Sequence, residues 1–101
     1  MQDLLEKLQK AEMAYKENPA NETFTPFMEA ADELCRAIRA AQKAGNTVVF
    51  TGETYPRDYI IKPEYQIRPF NIDWLDYFDG TDDFNGFCVS AADKVEVHDG
   101  K

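Results

Sequence analysis

The chain has few of the residues on which disulfide-bonded and metal-binding proteins depend, with only two cysteines and one histidine among its 101 residues. Cys35 and Cys88 are far apart in sequence and form no CxxC pair, which excludes a disulfide-rich scaffold and the usual zinc motifs. We expect both cysteines to be buried thiols. His98 lies close to the C-terminus, where we expect an exposed side chain at the end of a strand. A Cys88–His98 nucleophile–base pair would require the last two predicted strands to pair with each other.

The usual catalytic and cofactor-binding motifs are also absent. The sequence contains no GxGxxG, no Walker loop, no GxSxG and no HExxH. The run TDDFNG resembles the start of a calcium loop, with Thr81, Asp83 and Asn85 at ligand positions, but Ala92 stands where the bidentate glutamate is needed. We therefore predict no catalytic residue, no metal and no cofactor, and we expect a protein that is not an enzyme.

Long hydrophobic runs are missing as well, although 44% of the residues are apolar. No stretch approaches the roughly 18 apolar residues that a transmembrane helix needs. The N-terminal run MQDLLEKLQK lacks the basic-then-apolar order of a signal peptide, so we expect a cytoplasmic protein. The length predicts a single domain over residues 1–101, large enough to bury about two-thirds of its unfolded surface.

Positive charge is scarce, since 11 basic residues face 19 acidic ones and the net charge is −8. Direct binding to nucleic acid or to an anionic membrane requires a basic surface, so both are disfavoured. The acid is concentrated in the second half. Residues 1–45 carry eight acidic and six basic side chains, whereas residues 46–101 carry eleven and five. We therefore predict a basic protein as the partner, and the complementary charge would increase the rate of association.

Two helices are predicted in residues 1–45. Leu4, Leu8, Ala11 and Tyr15 form an apolar stripe over residues 2–17, and Asn18-Pro19 ends that helix. A second helix is predicted to begin with Thr25 as its cap and Pro26 at its first position, and to end at Gly45-Asn46. Its apolar stripe is formed by Phe27, Ala31, Leu34, Ile38 and Ala41.

Residues 46–101 are predicted to be β-rich and acidic. Strand patterns occur at 47–51, 59–62, 65–68, 87–90 and 94–98, separated by turn residues. The fold class that we predict is α+β, with an N-terminal helical hairpin followed by a small, strongly bent antiparallel β-sheet or an SH3-like barrel. One helix would cover a sheet of four or five strands.

The second half also resembles a known module. A strand at 47–51 is followed by IKPEYQI, then by the aromatic group DWLDYFDG, and then by FCVSAADKVEV. Over about residues 47–98 this order resembles the WYL module of bacterial regulators, which is an SH3-like barrel. The resemblance implies a barrel, but it transfers no ligand-binding residues, because Ala91 and Ala92 stand where the module has arginines.

The segment at residues 71–86 combines acidic and aromatic side chains without a basic residue. If residues 73–79 formed a helical turn, carboxylates at i, i+3 spacing would lie on one face, about 4.5 Å apart along the axis, which approximates a row of phosphates. We predict that this segment binds the partner, because aromatic side chains are favoured at interface hot spots. The predicted partner-binding residues are Asp73, Trp74, Asp76, Tyr77, Asp79, Asp82 and Asp83. The alternative is a solvated acidic turn that its aromatic side chains anchor to the core.

These observations favour a small, acidic, non-enzymatic binding protein that docks on a basic, nucleic-acid-binding protein and inhibits or regulates it. Phage-encoded inhibitors of host defence, including DNA mimics, have this format. Two other functions stay open. One is a small-molecule sensor of WYL type, with a pocket lined by Tyr55, Tyr59, Tyr65 and Trp74. The other is a small metal-dependent enzyme subunit that uses paired carboxylates.

Overall fold

The computed structural model describes residues 1–81 and 84–99 and shows an α+β fold, as predicted. Helices α1 (Gln2–Glu17) and α2 (Asn21–Lys43) precede six strands. The strands are β1 (Asn46–Thr51), β2 (Tyr59–Ile61), β3 (Gln66–Ile67), β4 (Trp74–Phe78), β5 (Phe84–Cys88) and β6 (Lys94–Asp99), with a short 3₁₀ helix at Val89–Ala91. Within the described residues, neither helix has the length and apolarity needed to cross a membrane.

Helix α2 begins earlier than predicted. Its first residue is Asn21, and Pro26 lies inside the helix instead of at its first position. The Thr23 hydroxyl accepts the Ala20 N–H at 3.2 Å and lies 2.6 Å from the Asn18 carbonyl, to which it donates. Phe24 packs against Tyr15 of α1, with ring centroids 5.3 Å apart. These contacts stabilise an additional first turn, so the helix begins at Asn21 and not at the start signal Thr25-Pro26. The end of the helix is as predicted, with Gly45 at φ +85° directly after the capping residue.

The β-rich half forms two antiparallel three-stranded sheets, with strand orders β2-β1-β6 and β3-β4-β5. A single sheet of four or five strands was expected, but residues 74–78, considered as a helical turn, form the strand β4, which pairs with β3 and β5 in a second sheet. The strand predicted at 87–90 is also shifted, because β5 ends at Cys88 and the chain then enters the 3₁₀ helix.

Both helices, and not one, pack against the β-rich half: α2 contacts β1, while α1 contacts β6 and the 3₁₀ helix. Leu8, Leu34 and Ile38 are fully buried between them. Two glutamines of α1 bind the backbone of the β-rich half: Gln2 Oε1 accepts the Val95 N–H of β6 at 2.9 Å, and Gln9 Nε2 donates to the Ser90 and Ala92 carbonyls at the 3₁₀ helix. Helix α1 is therefore held by hydrogen bonds as well as by its apolar stripe.

Phe87 connects the two sheets. Its ring stacks on Tyr59 of the first sheet at 4.3 Å between centroids and lies 5.2 Å from Phe50. Tyr77 of the second sheet meets Phe87 edge-on at 6.2 Å. Offset and edge-on aromatic pairs each contribute about 0.5–1.5 kcal/mol beyond the area they bury, so this cluster fixes how the two sheets meet.

Candidate functional site

The acidic segment is an extended strand and not a helical turn. Trp74–Phe78 form β4, with Leu75 and Tyr77 buried and Trp74 exposed. In a strand, side chains three residues apart project from opposite faces. Asp73 and Asp76 therefore do not lie in one row, and neither do Asp76 and Asp79. The prediction of a phosphate-like row assumed that residues 73–79 form a helical turn. It is wrong at these positions, because side chains in a strand alternate between two faces with a period of two residues.

Trp74, Asp76 and Gly86 form one arrangement on the outer face of the second sheet, which we call the tryptophan face. The indole of Trp74 is 45% exposed, and its Nε1–H donates to Asp76 Oδ1 at 2.9 Å. Gly86 is paired with Asp76 across the sheet. A Cβ on Gly86 would lie 2.5 Å from Asp76 Oδ1 and 2.7 Å from Trp74 Nε1. The bare glycine backbone therefore allows the indole to lie across β5.

Asp79 organises the hairpin between β4 and β5. Its Oδ1 accepts the Thr81 hydroxyl at 2.7 Å and the Thr81 N–H at 3.1 Å, and its Oδ2 accepts Asn85 Nδ2 at 2.9 Å. The hydrogen bonds from Thr81 are the main cause of the lowered pKa of Asp79. Arg57 donates to Asn85 Oδ1 at 2.9 Å and lies 5.5 Å above the Tyr59 ring. This network holds the hairpin against the loop that precedes β2.

The other predicted partner-binding residues have different positions. Tyr77 is only 5% exposed and stacks on Tyr65, so it supports β4 from the core, where burial raises the pKa of its hydroxyl. Asp73 is half-buried and bonded to Ser90, whose hydroxyl lies 2.8 Å from its Oδ2. Asp82 and Asp83 lie outside the described residues. The structure thus brings Trp74 and Asp76 together at the surface and separates Asp73 and Tyr77 from them.

A polar cluster that the sequence did not indicate lies where α1 meets the 3₁₀ helix that follows β5. We call Glu12, Lys16, Asp73, Cys88 and Ser90 the α1 junction. Lys16 Nζ lies 2.7 Å from Glu12 Oε1, and Cys88 Sγ lies 3.4 Å from Asp73 Oδ2. A depression of about 380 Å³ opens beside the junction and is lined by Gln9, Glu12, Met13, Lys16 and Ser90.

Titration at the α1 junction is governed by burial and by hydrogen bonds. Desolvation raises the pKa of Asp73, but the hydrogen bonds that it accepts from Ser90 and Cys88 act in the opposite direction, and the net shift is downward. Desolvation is also the main cause of the raised pKa of the Cys88 thiol. Glu12 could have been identified in the sequence, because Leu5, Leu8 and Glu12 follow i, i+3, i+7 and place a carboxyl on the core-facing stripe.

Cys88 and His98 lie on strands of different sheets. Cys35 is buried, as expected, whereas Cys88 is half-buried in the α1 junction. Strand β5 pairs with β4, and β6 pairs with β1, so the pairing that a Cys88–His98 couple requires does not occur. His98 is exposed, with its Nε2 3.4 Å from Glu96. Among residues 1–81 and 84–99, no three side chains of the ligating types come together as a metal site.

The aromatic side chains proposed to line a sensor pocket do not surround one cavity. Tyr59 is stacked on Phe87, and Tyr55 meets Tyr59 edge-on while its hydroxyl donates to the Cys88 carbonyl. Tyr65 packs on Tyr77, and Trp74 lies on the outer face. Three of the four rings therefore pack against other aromatic rings of the protein.

Comparison of the chain with protein-family models, with curated proteins and with solved structures gives no match. The WYL resemblance of residues 47–98 therefore stays a hypothesis.

Proposed function

We propose that this protein is a small, non-enzymatic binding protein that docks its tryptophan face on a basic protein partner. The observation that carries the proposal is the exposure of Trp74 in a defined orientation, with its indole N–H held by Asp76 over Gly86. Tryptophan is among the residues most enriched at interface hot spots. An indole that is already oriented loses little conformational entropy on binding.

The chemistry of the tryptophan face favours a cationic group. An arginine or lysine placed over the indole would gain a cation–π interaction, which is strongest for tryptophan. The carboxylate of Asp76, bonded to the same indole, would add electrostatic attraction. The net charge of −8 would attract a cationic surface from a distance and increase the association rate.

We further propose that binding inhibits or regulates the partner by covering a basic surface with which it contacts nucleic acid. The small acidic inhibitors encoded by phages provide the functional model for this mode of action. A regular DNA mimic is not part of the proposal, because Asp73, Asp76 and Asp79 do not form the evenly spaced row that such mimicry would use.

The test is affinity capture with the wild-type protein from a lysate of its source organism, followed by calorimetry with the purified partner. Trp74→Ala should weaken binding by about 2 kcal/mol or more, as hot-spot truncations do. Trp74→Phe should retain part of the affinity. Ile60→Ala is the matched control, because Ile60 is also 45% exposed but lies on the first sheet, and it should bind like the wild type.

The salt dependence of binding provides a second criterion. Affinity should fall as sodium chloride rises from about 0.05 M to about 0.5 M, because salt screens attraction between exposed charges. A partner that is acidic, or one that binds Trp74→Ala as tightly as the wild type, would rule out the proposed face.

A further inference from the structure

Strand β6 forms one edge of the first sheet. It pairs with β1 on one side, and no other strand of the described residues pairs with its outer side. In an antiparallel ladder, the N–H and C=O groups of alternate residues point to the same side. The Val95 N–H points outward, because it donates to Oε1 of Gln2 on α1. The backbone groups of Val97 and Asp99 therefore point outward as well.

Gln2 closes only the beginning of this edge. Its side-chain amide accepts the Val95 N–H at 2.9 Å and donates to the Asp93 carbonyl at 3.4 Å, so it occupies the place at which an additional strand would bond. Within the part of the chain that the structure describes, no hydrogen bond from another element reaches the outer backbone of Val97 or Asp99. The Val97 side chain is 43% exposed. An open edge of this kind is a template for pairing with another strand.

We propose that a second copy of this chain adds to the open edge, so that the two β6 strands pair antiparallel about a two-fold axis at Val97. Such an interface is self-complementary, because the same residues contribute from both copies. The two Val97 residues would exchange N–H···O=C hydrogen bonds, and the first sheets of the two copies would become one sheet of six strands. This proposal is independent of the proposed binding function, which concerns the second sheet.

The charges on β6 favour this register. Glu96 and His98 project from the face of the sheet opposite to the buried Val95. With the axis at Val97, each Glu96 lies across from His98 of the other copy. Within one chain, Glu96 Oε1 lies 2.9 Å from Lys94 Nζ and Glu96 Oε2 lies 3.4 Å from His98 Nε2, so the carboxylate is already compatible with an imidazole neighbour. An axis at Glu96 would instead bring two carboxylates together, which is destabilising.

Gln2 and the net charge limit the strength of the dimer. In the proposed register Asp99 lies across from Val95 of the other copy, but its carbonyl cannot accept a Val95 N–H that Gln2 already occupies. Pairing is therefore confined to the residues around Val97. The charge of −8 on each copy adds repulsion. Because the contact is small, we expect a dimer that forms at protein concentrations of about 0.1–1 mM.

Sedimentation equilibrium and amide NMR spectra of the full chain, recorded from about 0.02 mM to about 1 mM protein, test the proposal. A dimer should form over this range, and the concentration-dependent amide shifts should be centred on Val97. Added sodium chloride should strengthen the dimer, because salt screens the repulsion between two acidic copies. The proposal fails if the chain stays monomeric at about 1 mM in about 0.5 M salt, or if the shifts are centred on Trp74.

Gln2→Ala gives the most specific result. It frees the Val95 N–H for the Asp99 carbonyl of the other copy, so two more hydrogen bonds form per dimer and the dissociation constant should fall about tenfold. The melting temperature should fall too, because a contact between α1 and β6 is lost. Gln9→Ala is the matched control, because Gln9 binds backbone at the 3₁₀ helix, and it should leave dimerisation unchanged. Equal dimerisation of the two variants would contradict the proposed role of the edge.

Two further variants should disrupt the dimer. Val97→Pro removes the N–H at the axis and should abolish dimerisation, while the fold tolerates proline at an edge position whose N–H faces solvent. His98→Glu places a carboxylate across from Glu96 and should raise the dissociation constant about fivefold or more. Asn21→Glu is the matched control, because it adds the same charge at the exposed start of α2. A dimer that persists unchanged in Val97→Pro and in His98→Glu uses another surface and overturns the proposal.

Discussion

At the scale of single residues, the outer face of the second sheet depends on the absence of a side chain at Gly86. The Trp74 indole occupies the space that a Cβ at this position would need, and Asp76 holds the indole there. Glycine is usually unfavourable inside a strand. Its presence in β5 is explained by the close approach of the indole.

Gly86→Ala should displace the indole and lower stability by about 1–3 kcal/mol, the usual cost of inserting a methyl group into filled space. Trp74 is the only tryptophan, so its fluorescence emission should shift to longer wavelength as the ring becomes more exposed. In the Trp74→Ala background the same substitution should cost much less, because the obstructing ring is gone. If Gly86→Ala lowers the free energy of unfolding equally in the wild type and in Trp74→Ala, the indole is not the group that excludes a side chain at Gly86.

Ile72 is the second residue whose conformation stands out. It has φ +62° in the tight turn closed by hydrogen bonds between Asn71 and Trp74, and its side chain is 39% exposed. A β-branched residue is strained in this conformation, at a cost of about 1–2 kcal/mol. The turn sets the direction from which the chain enters β4.

Ile72→Gly should leave the free energy of unfolding unchanged or raise it by up to about 1 kcal/mol, since glycine adopts positive φ without strain. Ile60→Gly is the control, because Ile60 is similarly exposed but lies in a regular strand. That change should cost about 1 kcal/mol. Urea unfolding of both variants checks the difference, and an equal loss at the two positions would contradict the assignment of strain to Ile72.

At the scale of elements, the structure of α2 shows how tertiary contacts override a local start signal. Pro26 is its sixth residue and cannot donate the hydrogen bond that would reach Glu22. The turn before it is retained because the Thr23 hydroxyl accepts the N–H of the capping residue Ala20 and Phe24 packs on Tyr15. The helix therefore includes an internal proline whose cost is offset by contacts with α1.

Pro26→Ala should raise the free energy of unfolding by about 1–2 kcal/mol. The restored hydrogen bond stabilises the folded helix. Part of this gain is lost, because alanine does not restrict the unfolded chain as proline does. Pro19→Ala, outside the helix, loses only that restriction and should lower stability by about 0.5 kcal/mol. Thermal unfolding followed by far-UV circular dichroism distinguishes the two. A loss of stability in Pro26→Ala would mean that the helix does not continue through this position.

At the scale of the whole molecule, self-repulsion from the net charge of −8 opposes folding. Ion pairs such as Lys7–Glu33 at 2.7 Å and Arg36–Asp32 at 3.3 Å act in the opposite direction. These pairs are exposed, so each contributes about 0–1 kcal/mol. The net effect of the charges should therefore be destabilising at low ionic strength.

The melting temperature should rise as sodium chloride increases from about 0.01 M to about 1 M, which shortens the screening length from about 30 Å to about 3 Å. The double variant Glu22→Gln/Glu29→Gln removes two exposed charges and leaves a net charge of −6, so its salt dependence should be flatter. A melting temperature that falls with added salt would show that the ion pairs outweigh the repulsion. Binding to a basic partner should respond in the opposite direction and weaken with salt.

Local sequence patterns were sufficient to predict the fold class, helix α1, the end of α2 and most of the strands. These features depend on local periodicity and on turn residues such as Gly45, which act over a few neighbouring positions. Whether a side chain is buried depends on which faces of its element are covered. The burial of Cys35 was predicted correctly, because Cys35 lies next to Leu34 on a clear helical stripe, whereas the burial of Tyr77 was not, because Tyr77 was expected on the partner-binding face.

The strand at residues 74–78 depends on long-range pairing. The aspartates at every third position mimic a helical pattern, whereas β3 and β5 supply the hydrogen bonds of a sheet. The contact of Asp76 with Trp74 across a bare Gly86 depends on strand register, which short-range patterns do not specify. The hydrogen bond from Gln9 to the Ser90 carbonyl joins residues that are 81 positions apart. Such a contact forms only when α1 packs against the 3₁₀ helix, since only the folded chain brings these distant residues together.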